Sequence, residues 1–226
     1  MLNISVIVNS IAVIIGSVLG IFGGKKLSDN SKDILFKTIG LLTIGLGISL
    51  FLEYNNALVV LGSLAIGGLI GEYFKIEKQL GKLAGGDNQD PDFVKGFVTA
   101  TVLFIAGPMT IVGSIKAGVQ GNNEIIFLKS LMDGLSSIML AASFGTGVLM
   151  SAVSVYLVQG FLVSFSGSLQ FLQNEVYLGD FSGVGGLILL GLGIRLLKIK
   201  EIKVGNFFPA LIISPFLTYI ALLLAK

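Results

Sequence analysis

Eight long apolar segments, separated by short polar stretches, follow one another along the chain. Each is close to the about 20 residues that a helix needs to cross the hydrocarbon core of a bilayer. The segments cover residues 4–24, 34–52, 57–74, 94–113, 126–144, 148–171, 182–197 and 206–225. This pattern predicts an all-α membrane protein of about eight transmembrane helices, some of them broken or kinked.

The composition excludes a soluble protein and several kinds of chemistry. The 226 residues are 54% apolar and only 12% charged, whereas soluble domains carry about 25% charge. Histidine and cysteine are absent, which excludes thiolate catalysis, a histidine base and a Cys/His zinc site. The net charge of +2 gives no sign of nucleic-acid binding. We expect the lipid bilayer as a partner, and no enzymatic activity, metal or cofactor.

Lysine and arginine fall mainly on one side of the predicted topology. Basic residues concentrate in cytoplasmic loops and at cytoplasmic helix ends. With the N-terminus outside, twelve fall inside, namely Lys25, Lys26, Lys32, Lys37, Lys75, Lys78, Lys82, Lys95, Arg195, Lys198, Lys200 and Lys203. The three outside are Lys116, Lys129 and Lys226. We therefore predict that both termini face outside, and that residues 4–24 are a retained helix rather than a signal peptide.

The boundary between the fifth and sixth segments is the weakest, because residues 144–147 carry no charge. A tight turn between two spans agrees with the charge distribution, since one fewer span would place Arg195 outside. One long kinked helix and a re-entrant hairpin are the alternatives.

The longest predicted loop covers about residues 75–93. Its first part, 75–83, mixes apolar and charged residues at near-helical spacing, which is typical of a short interfacial helix. Residues 85–92 are an acidic, turn-rich stretch without the spacing of a calcium-binding EF-hand loop. We expect a solvated turn there.

The two halves of the chain are weakly similar to each other. A shift of 122 residues aligns Glu53 with Glu175, and a shift of 123 aligns Lys75 with Lys198. This predicts one compact membrane domain made of two parallel four-helix repeats, residues 1–113 and 124–226.

Glycines recur at four-residue spacing in the first segment, at Gly16, Gly20 and Gly24. In lipid this spacing lets helix backbones approach closely. The third and seventh segments have the same spacing of small residues, at Gly67/Gly71 and Ser182/Gly186, so we expect the first, third and seventh helices to be central and tightly packed. Asn9 shares the face of Gly16 and Gly20, so its amide is predicted to point inward.

Asp133 is the strongest candidate for a functional residue. It lies about two turns inside the fifth segment, where a charge costs about 2.5–3.5 kcal/mol on insertion scales. Lys129 precedes it by four residues and shares its helix face. Two interpretations are open: an ion pair that holds the helix end in register, or a cation or proton site that faces a cavity.

Gly107 and Pro108 predict a break in the fourth segment. Proline has no N–H and frees the carbonyl of Phe104 one turn earlier, and Ser114 follows in the same segment. Broken helices form ion and substrate sites in transporters. They also occur as simple kinks.

Hydroxyl groups are frequent in the sixth segment, for example at Ser151 and Ser154, with the amide of Gln159 among them. Such hydroxyls either line a wet path or bond back to their own helix. Glu72 and Arg195 occupy equivalent positions in the two predicted repeats. They are interpreted either as ordinary interfacial charges or as a structural pair with each other.

Four motifs occur in order along the chain. They are Gly67-Gly68-x-x-Gly71-Glu72, Gly107-Pro108-Met109-x-Ile111-x-Gly113-Ser114-Ile115, Lys129 with Asp133-Gly134, and Asn206-x-x-Pro209-Ala210. Together they resemble the YdfK/YqgA-type family of bacterial membrane proteins of unknown function. The resemblance implies a multi-pass protein of the bacterial cytoplasmic membrane. It implies no activity, substrate or catalytic residue.

Two classes of function fit these observations. We expect a transporter or channel for an ion or small solute, whose candidate path residues are Asn9, Phe104, Gly107, Pro108, Ser114, Lys129, Asp133, Ser151 and Ser154. The alternative is a non-transporting membrane subunit or scaffold that works with a partner protein. A homo-oligomer is expected, since a unit of 23.7 kDa has little room for both a pore and a surrounding shell.

Overall fold

The computed structural model describes residues 3–85 and 91–224, which form ten α-helices and two short 3-10 turns without a strand. The helices are α1 (Ile4–Gly24), α2 (Asp29–Phe51), α3 (Ala57–Phe74), α4 (Ile76–Gly85), α5 (Pro91–Ile105), α6 (Pro108–Gln120), α7 (Glu124–Phe144), α8 (Thr146–Ser164), α9 (Glu175–Leu196) and α10 (Phe208–Leu224). The 3-10 turns cover Gln170–Gln173 and Val204–Phe207. The all-α prediction is confirmed.

Seven of the described helices are long and apolar enough to cross a membrane, and α5 and α6 form a further, bent pair. The two helices meet at an angle of 61°. Pro108 is placed at the start of α6, where its missing N–H leaves no hydrogen bond unmade. The predicted break in the fourth segment is present, between two helices that extend beyond residues 94–113.

α7 and α8 form an antiparallel hairpin that turns at Gly145. This residue has φ +68° and ψ −140°, a conformation that glycine adopts without steric cost. Asp133 on α7 and Gln159 on α8 both contact Asn9 of α1, so positions on either side of the turn lie at the same depth. The structure therefore has the tight turn, and residues 124–164 are two helices.

α1 packs along α7 in the same direction. Gly16, Gly20 and Gly24 lie against the backbone of α7, and their contacts advance from Gly134 to Ala142 as α1 advances. A Cβ atom at any of these glycines would collide with α7 backbone. The four-residue glycine spacing thus produces the close approach that it predicts.

Among the described residues, seven single helices and the bent α5–α6 pair run between the two ends of the bundle. α2 packs antiparallel to α9, and α3 packs antiparallel to α10. α5 runs along the first part of α8 in the same direction, and α6 continues along the rest of α8. Gly147 at the start of α8 contacts Phe93, and Ser166 beyond its end contacts Gly118. We call the end of the bundle where α1 begins the terminal face, and the opposite end, where Lys25, Lys75, Arg195 and Lys203 lie, the basic face.

Besides the longer α5–α6 pair, the largest differences from the predicted helix ends are at the end of α8 and the start of α9. α8 ends at Ser164, before the predicted 171, because the chain turns between residues 165 and 169. α9 begins at Glu175, before the predicted 182. Its early turns contain Asp180, whose carboxylate accepts hydrogen bonds from Thr218 Oγ1 at 2.9 Å and from the backbone N–H of Asn56 at 2.8 Å.

The predicted short helix after residue 75 is present as α4, whereas most of the acidic stretch 85–92 lies outside the described residues. The predicted duplication has one local counterpart. Lys75 and Lys198 are the two non-glycine residues of the described chain with positive φ, 51° and 58°. The four-plus-four repeat as a whole stays a prediction.

Candidate functional site

Lys129 and Asp133 form an ion pair inside α7. They lie one helical turn apart, and Lys129 Nζ is 2.8 Å from both Oδ1 and Oδ2 of Asp133. The two side chains are only 8% and 7% exposed. Both carboxylate oxygens bind one ammonium group, so the pair is neutral as a unit.

Two amides from other helices complete the site. Asn9 of α1 donates from Nδ2 to Asp133 Oδ2 at 3.1 Å and to Gln159 Oε1 of α8 at 3.2 Å. All four residues are at most 6% exposed. We call Asn9, Lys129, Asp133 and Gln159 the polar cluster. It joins α1, α7 and α8 below the terminal face.

The carboxylate of Asp133 determines the orientation of both amides. A carboxylate accepts hydrogen bonds only, so Asn9 must present its NH₂ group to Asp133. The same NH₂ group faces Gln159, which must present its oxygen. In the described structure, the remaining atoms of the two amides, Asn9 Oδ1 and Gln159 Nε2, are buried without a hydrogen-bond partner.

The polar cluster lies inside the span rather than at its edge. Asn9 and Lys129 are one and a half turns inside α1 and α7, and Asp133 is one turn deeper. At 1.5 Å per residue, the cluster is roughly 8–14 Å from the helix ends at the terminal face. A hydrocarbon core is about 30 Å thick, so helix ends placed at the interface put the cluster inside that core.

The broken span adjoins the polar cluster. Lys129 Nζ lies 5.9 Å from the ring centroid of Phe104, at the end of α5. The carbonyl that Pro108 leaves free, that of Phe104, accepts a hydrogen bond from Thr110 Oγ1 at 2.9 Å. Ser114, one turn further along α6, is fully buried and its hydroxyl has no partner among the described residues. The break is therefore linked to the polar cluster through Phe104, whose carbonyl binds Thr110 and whose ring lies beside Lys129.

A cavity of about 310 Å³ lies between α1 and α8 at the terminal face. Asn3 and Val6 line its α1 side, and Tyr156 and Gly160 line its α8 side. Val6 precedes Asn9 by one helical turn, and Gly160 directly follows Gln159. The cavity is open to the outer surface, where the exposed side chains of Leu157, Phe161 and Phe165 form part of its wall. Asn9 and Gln159 do not line it, but lining residues lie within one helical turn of each in the sequence.

The two predicted serine hydroxyls of α8 lie outside the polar cluster. Ser151 Oγ donates to the carbonyl of Val148 in its own helix at 2.6 Å. Ser154 Oγ lies 3.3 Å from Thr101 Oγ1 of α5. In the described structure neither hydroxyl has a hydrogen bond to the cluster. Ser151 therefore bonds within its own helix, and Ser154 joins α8 to α5.

The predicted pair of Glu72 with Arg195 is not formed, and each has another partner. Arg195 Nη1 lies 2.9 Å from Glu77 Oε1. Glu72 Oε1 is 3.0 Å from Lys203 Nζ, and its Oε2 accepts from Asn206 Nδ2 at 2.7 Å. The physical reason is that α4 folds back under the bundle, so that Glu77 lies against Arg195.

Glu77 is the buried centre of this basic-face network. Its Oε2 accepts from the backbone N–H of Gly205 at 2.9 Å, and its own N–H donates to Asn206 Oδ1 at 2.8 Å. These bonds fasten α4 to the chain between α9 and α10. The network stabilises the basic face and is remote from the polar cluster.

Sequence reasoning missed the role of Gln159 and the burial of Glu77 and Asp180. Gln159 stood out only as an amide among hydroxyls, although a lone amide in an apolar span signals an interior partner. Asp180 precedes a glycine-rich apolar run, which is a signal of the same kind. Among the described residues, no group of three or more His, Cys, Asp or Glu side chains could hold a metal ion.

These features define a multi-pass helical membrane protein with a charged polar cluster beside a broken span. The model of the family described as "Protein of unknown function (DUF554)" matches residues 4–219, and the chain belongs to this family. The chain is similar to the uncharacterized membrane protein YdfK of Bacillus subtilis, with 29% identity over 218 residues and 95% of both chains covered. It is also 29% identical over 217 residues to the uncharacterized protein YqgA of Escherichia coli, with 92% of both chains covered. No solved structure matches the chain.

Proposed function

We propose that the protein is a transporter or channel for an ion or small solute, and that its path passes the polar cluster. The observation that carries this proposal is the burial of Lys129 and Asp133, with two amides, inside a membrane span. Ionisable groups at this depth are costly and mark ion or substrate paths in membrane proteins. An ion pair alone is weak evidence for a stabilising role, because desolvation offsets much of its attraction.

Two further observations support the path. The break between α5 and α6 lies beside the cluster, and discontinuous helices frame substrate sites in transporters. The open cavity of about 310 Å³ lies between α1 and α8, the two helices that carry the amides of the cluster. We propose that the basic face is cytoplasmic, in a bacterial cytoplasmic membrane, because the lysines and arginines concentrate there. Both termini and the mouth of the cavity are then outside.

The test is flux through proteoliposomes that contain the pure protein. Na⁺, K⁺, H⁺, Cl⁻, glycerol and urea are the probes. The decisive variant combines Lys129→Met with Asp133→Asn, which removes both charges and retains an oxygen for the Asn9 amide. The control is Ser130→Ala, a buried hydroxyl on α7 that bonds only to the Ile126 carbonyl, at 2.7 Å.

We expect flux of at least one probe in the wild type and in Ser130→Ala. We expect it to fall at least tenfold in the double variant, with an unchanged elution profile in detergent. Flux of the same size in all three proteins would remove the cluster from the path. If no probe moves, the proposal fails, and stoichiometric co-purification of another membrane protein then supports the partner-subunit alternative.

A further inference from the structure

The unpartnered atoms of the polar cluster form a complementary pair. Asn9 Oδ1 can only accept a hydrogen bond, and Gln159 Nε2 can only donate one. Both atoms are buried without a partner in the described structure, and they belong to adjacent amides that contact each other at 3.2 Å. A buried polar atom without a partner costs about 1–3 kcal/mol. A group that both donates and accepts satisfies the two atoms at once.

The pairing of the charges in the polar cluster also favours an uncharged ligand. Both oxygens of Asp133 are engaged by Lys129 at 2.8 Å, so neither is available to bind a cation without displacing the ammonium. The ammonium is engaged in turn, so it does not attract an anion as a lone charge would. A bare cation would pair with Asn9 Oδ1 but be repelled by Gln159 Nε2, and a bare anion would pair with Gln159 Nε2 but be repelled by Asn9 Oδ1, so either ion leaves one of the two atoms unsatisfied.

From these two observations we infer that the protein passes small uncharged solutes bearing hydroxyl or amide groups, and that Asn9 and Gln159 bind them. The inference rests on the proposed function and specifies its substrate class. A hydroxyl donates to Asn9 Oδ1 and accepts from Gln159 Nε2, and a primary amide does the same with its two ends. The open cavity of about 310 Å³ between α1 and α8 has room for such a solute, and its lining includes Val6 and Gly160, within one helical turn of Asn9 and Gln159 in the sequence.

The experiment compares neutral and ionic probes in the same proteoliposomes. Glycerol and urea permeation is followed by light scattering after an osmotic step, and Na⁺, K⁺, Cl⁻ and H⁺ flux by fluorescent indicators. The variants are Gln159→Leu, which removes the amide, and Gln159→Glu, which keeps the oxygen that faces Asn9 and replaces only the nitrogen. The matched control on α8 is Val153→Ala, a side chain on the outer surface that is 50% exposed.

We expect the wild type and Val153→Ala to pass glycerol or urea at least tenfold faster than empty vesicles, with ion flux at the level of empty vesicles. We expect both Gln159 variants to lose at least nine-tenths of that permeation. Ion flux without neutral permeation overturns the inference and leaves the proposed function standing. Neutral permeation that survives in either Gln159 variant, once folding is verified, also overturns it. If no probe moves, both the inference and the proposed function fail.

Discussion

Removing one member of the Lys129–Asp133 pair is expected to destabilise the protein far more than removing both. The perturbation is a double-mutant cycle with Lys129→Met, Asp133→Asn and the combined variant. Each single variant leaves one buried charge without its counter-ion. The combined variant leaves none, and it keeps an amide oxygen to accept from Asn9 Nδ2.

The magnitude follows from the geometry of the pair. Two unit charges about 2.8 Å apart attract each other by about 6 kcal/mol at an effective dielectric constant of about 20. The desolvation of both groups offsets most of this attraction, so the pair contributes little net stability, whereas loss of one partner costs about 3–5 kcal/mol. Lys129→Met should be the more costly single change. The short Asp133 side chain cannot reach the terminal face, whereas Lys129, five residues after the start of α7, can extend towards it.

Reversible unfolding of the purified protein in mixed micelles, titrated with a denaturing detergent, measures the loss of unfolding free energy in each of the three variants relative to the wild type. We expect a coupling energy of at least about 2 kcal/mol between the two positions, since contacting residues couple by about 0.5–3 kcal/mol. Single-variant losses that add to the double-variant loss within about 0.5 kcal/mol would refute the reasoning, because independent positions behave in that way.

The remaining predictions concern packing, the basic face and orientation. Gly71→Ala should lower the unfolding free energy by about 1–3 kcal/mol, because a Cβ at position 71 would collide with the backbone of Asn206 in the 3-10 turn before α10. Gly45→Ala, which has open space around its Cβ, should instead raise the unfolding free energy by up to about 1 kcal/mol. Glu77→Gln should lower the thermal unfolding midpoint strongly, because it removes the buried carboxylate that pairs with Arg195. Glu201→Gln should change the midpoint little, because the Glu201 side chain is 72% exposed. The single-cysteine variant Lys200→Cys should react with a membrane-impermeant maleimide only in inside-out vesicles. Labelling in intact cells would contradict the proposed orientation.

Much of the fold follows from the sequence because the bilayer imposes simple lengths. Apolar runs near 20 residues predict the spans, and Pro108 predicts the break because it cannot donate to the carbonyl of Phe104. The glycine spacing predicts the face that α1 presents to α7, and the i,i+4 spacing predicts that Lys129 meets Asp133. Each of these predictions depends on one helix and its immediate neighbours in the chain.

The partners that come from distant segments are not predictable in this way. Gln159 meets Asn9 only because α8 returns along α1 after the turn at Gly145. Glu77 reaches Arg195 only because α4 folds beneath the bundle, and so the expected partner of Arg195 is displaced. Charged residues at helix ends look alike in a sequence, and the packing of helices decides which of them are buried.

The central claim, that a wet path reaches the polar cluster, is tested most directly by chemical modification at Gln159. The chain contains no cysteine, so a single introduced thiol reports on one position alone. We expect a small membrane-impermeant thiosulfonate to modify Gln159→Cys from the terminal face, while Val148→Cys, a fully buried position in the apolar core, stays unreacted. A Gln159→Cys thiol that is as unreactive as the one at position 148 would contradict the account.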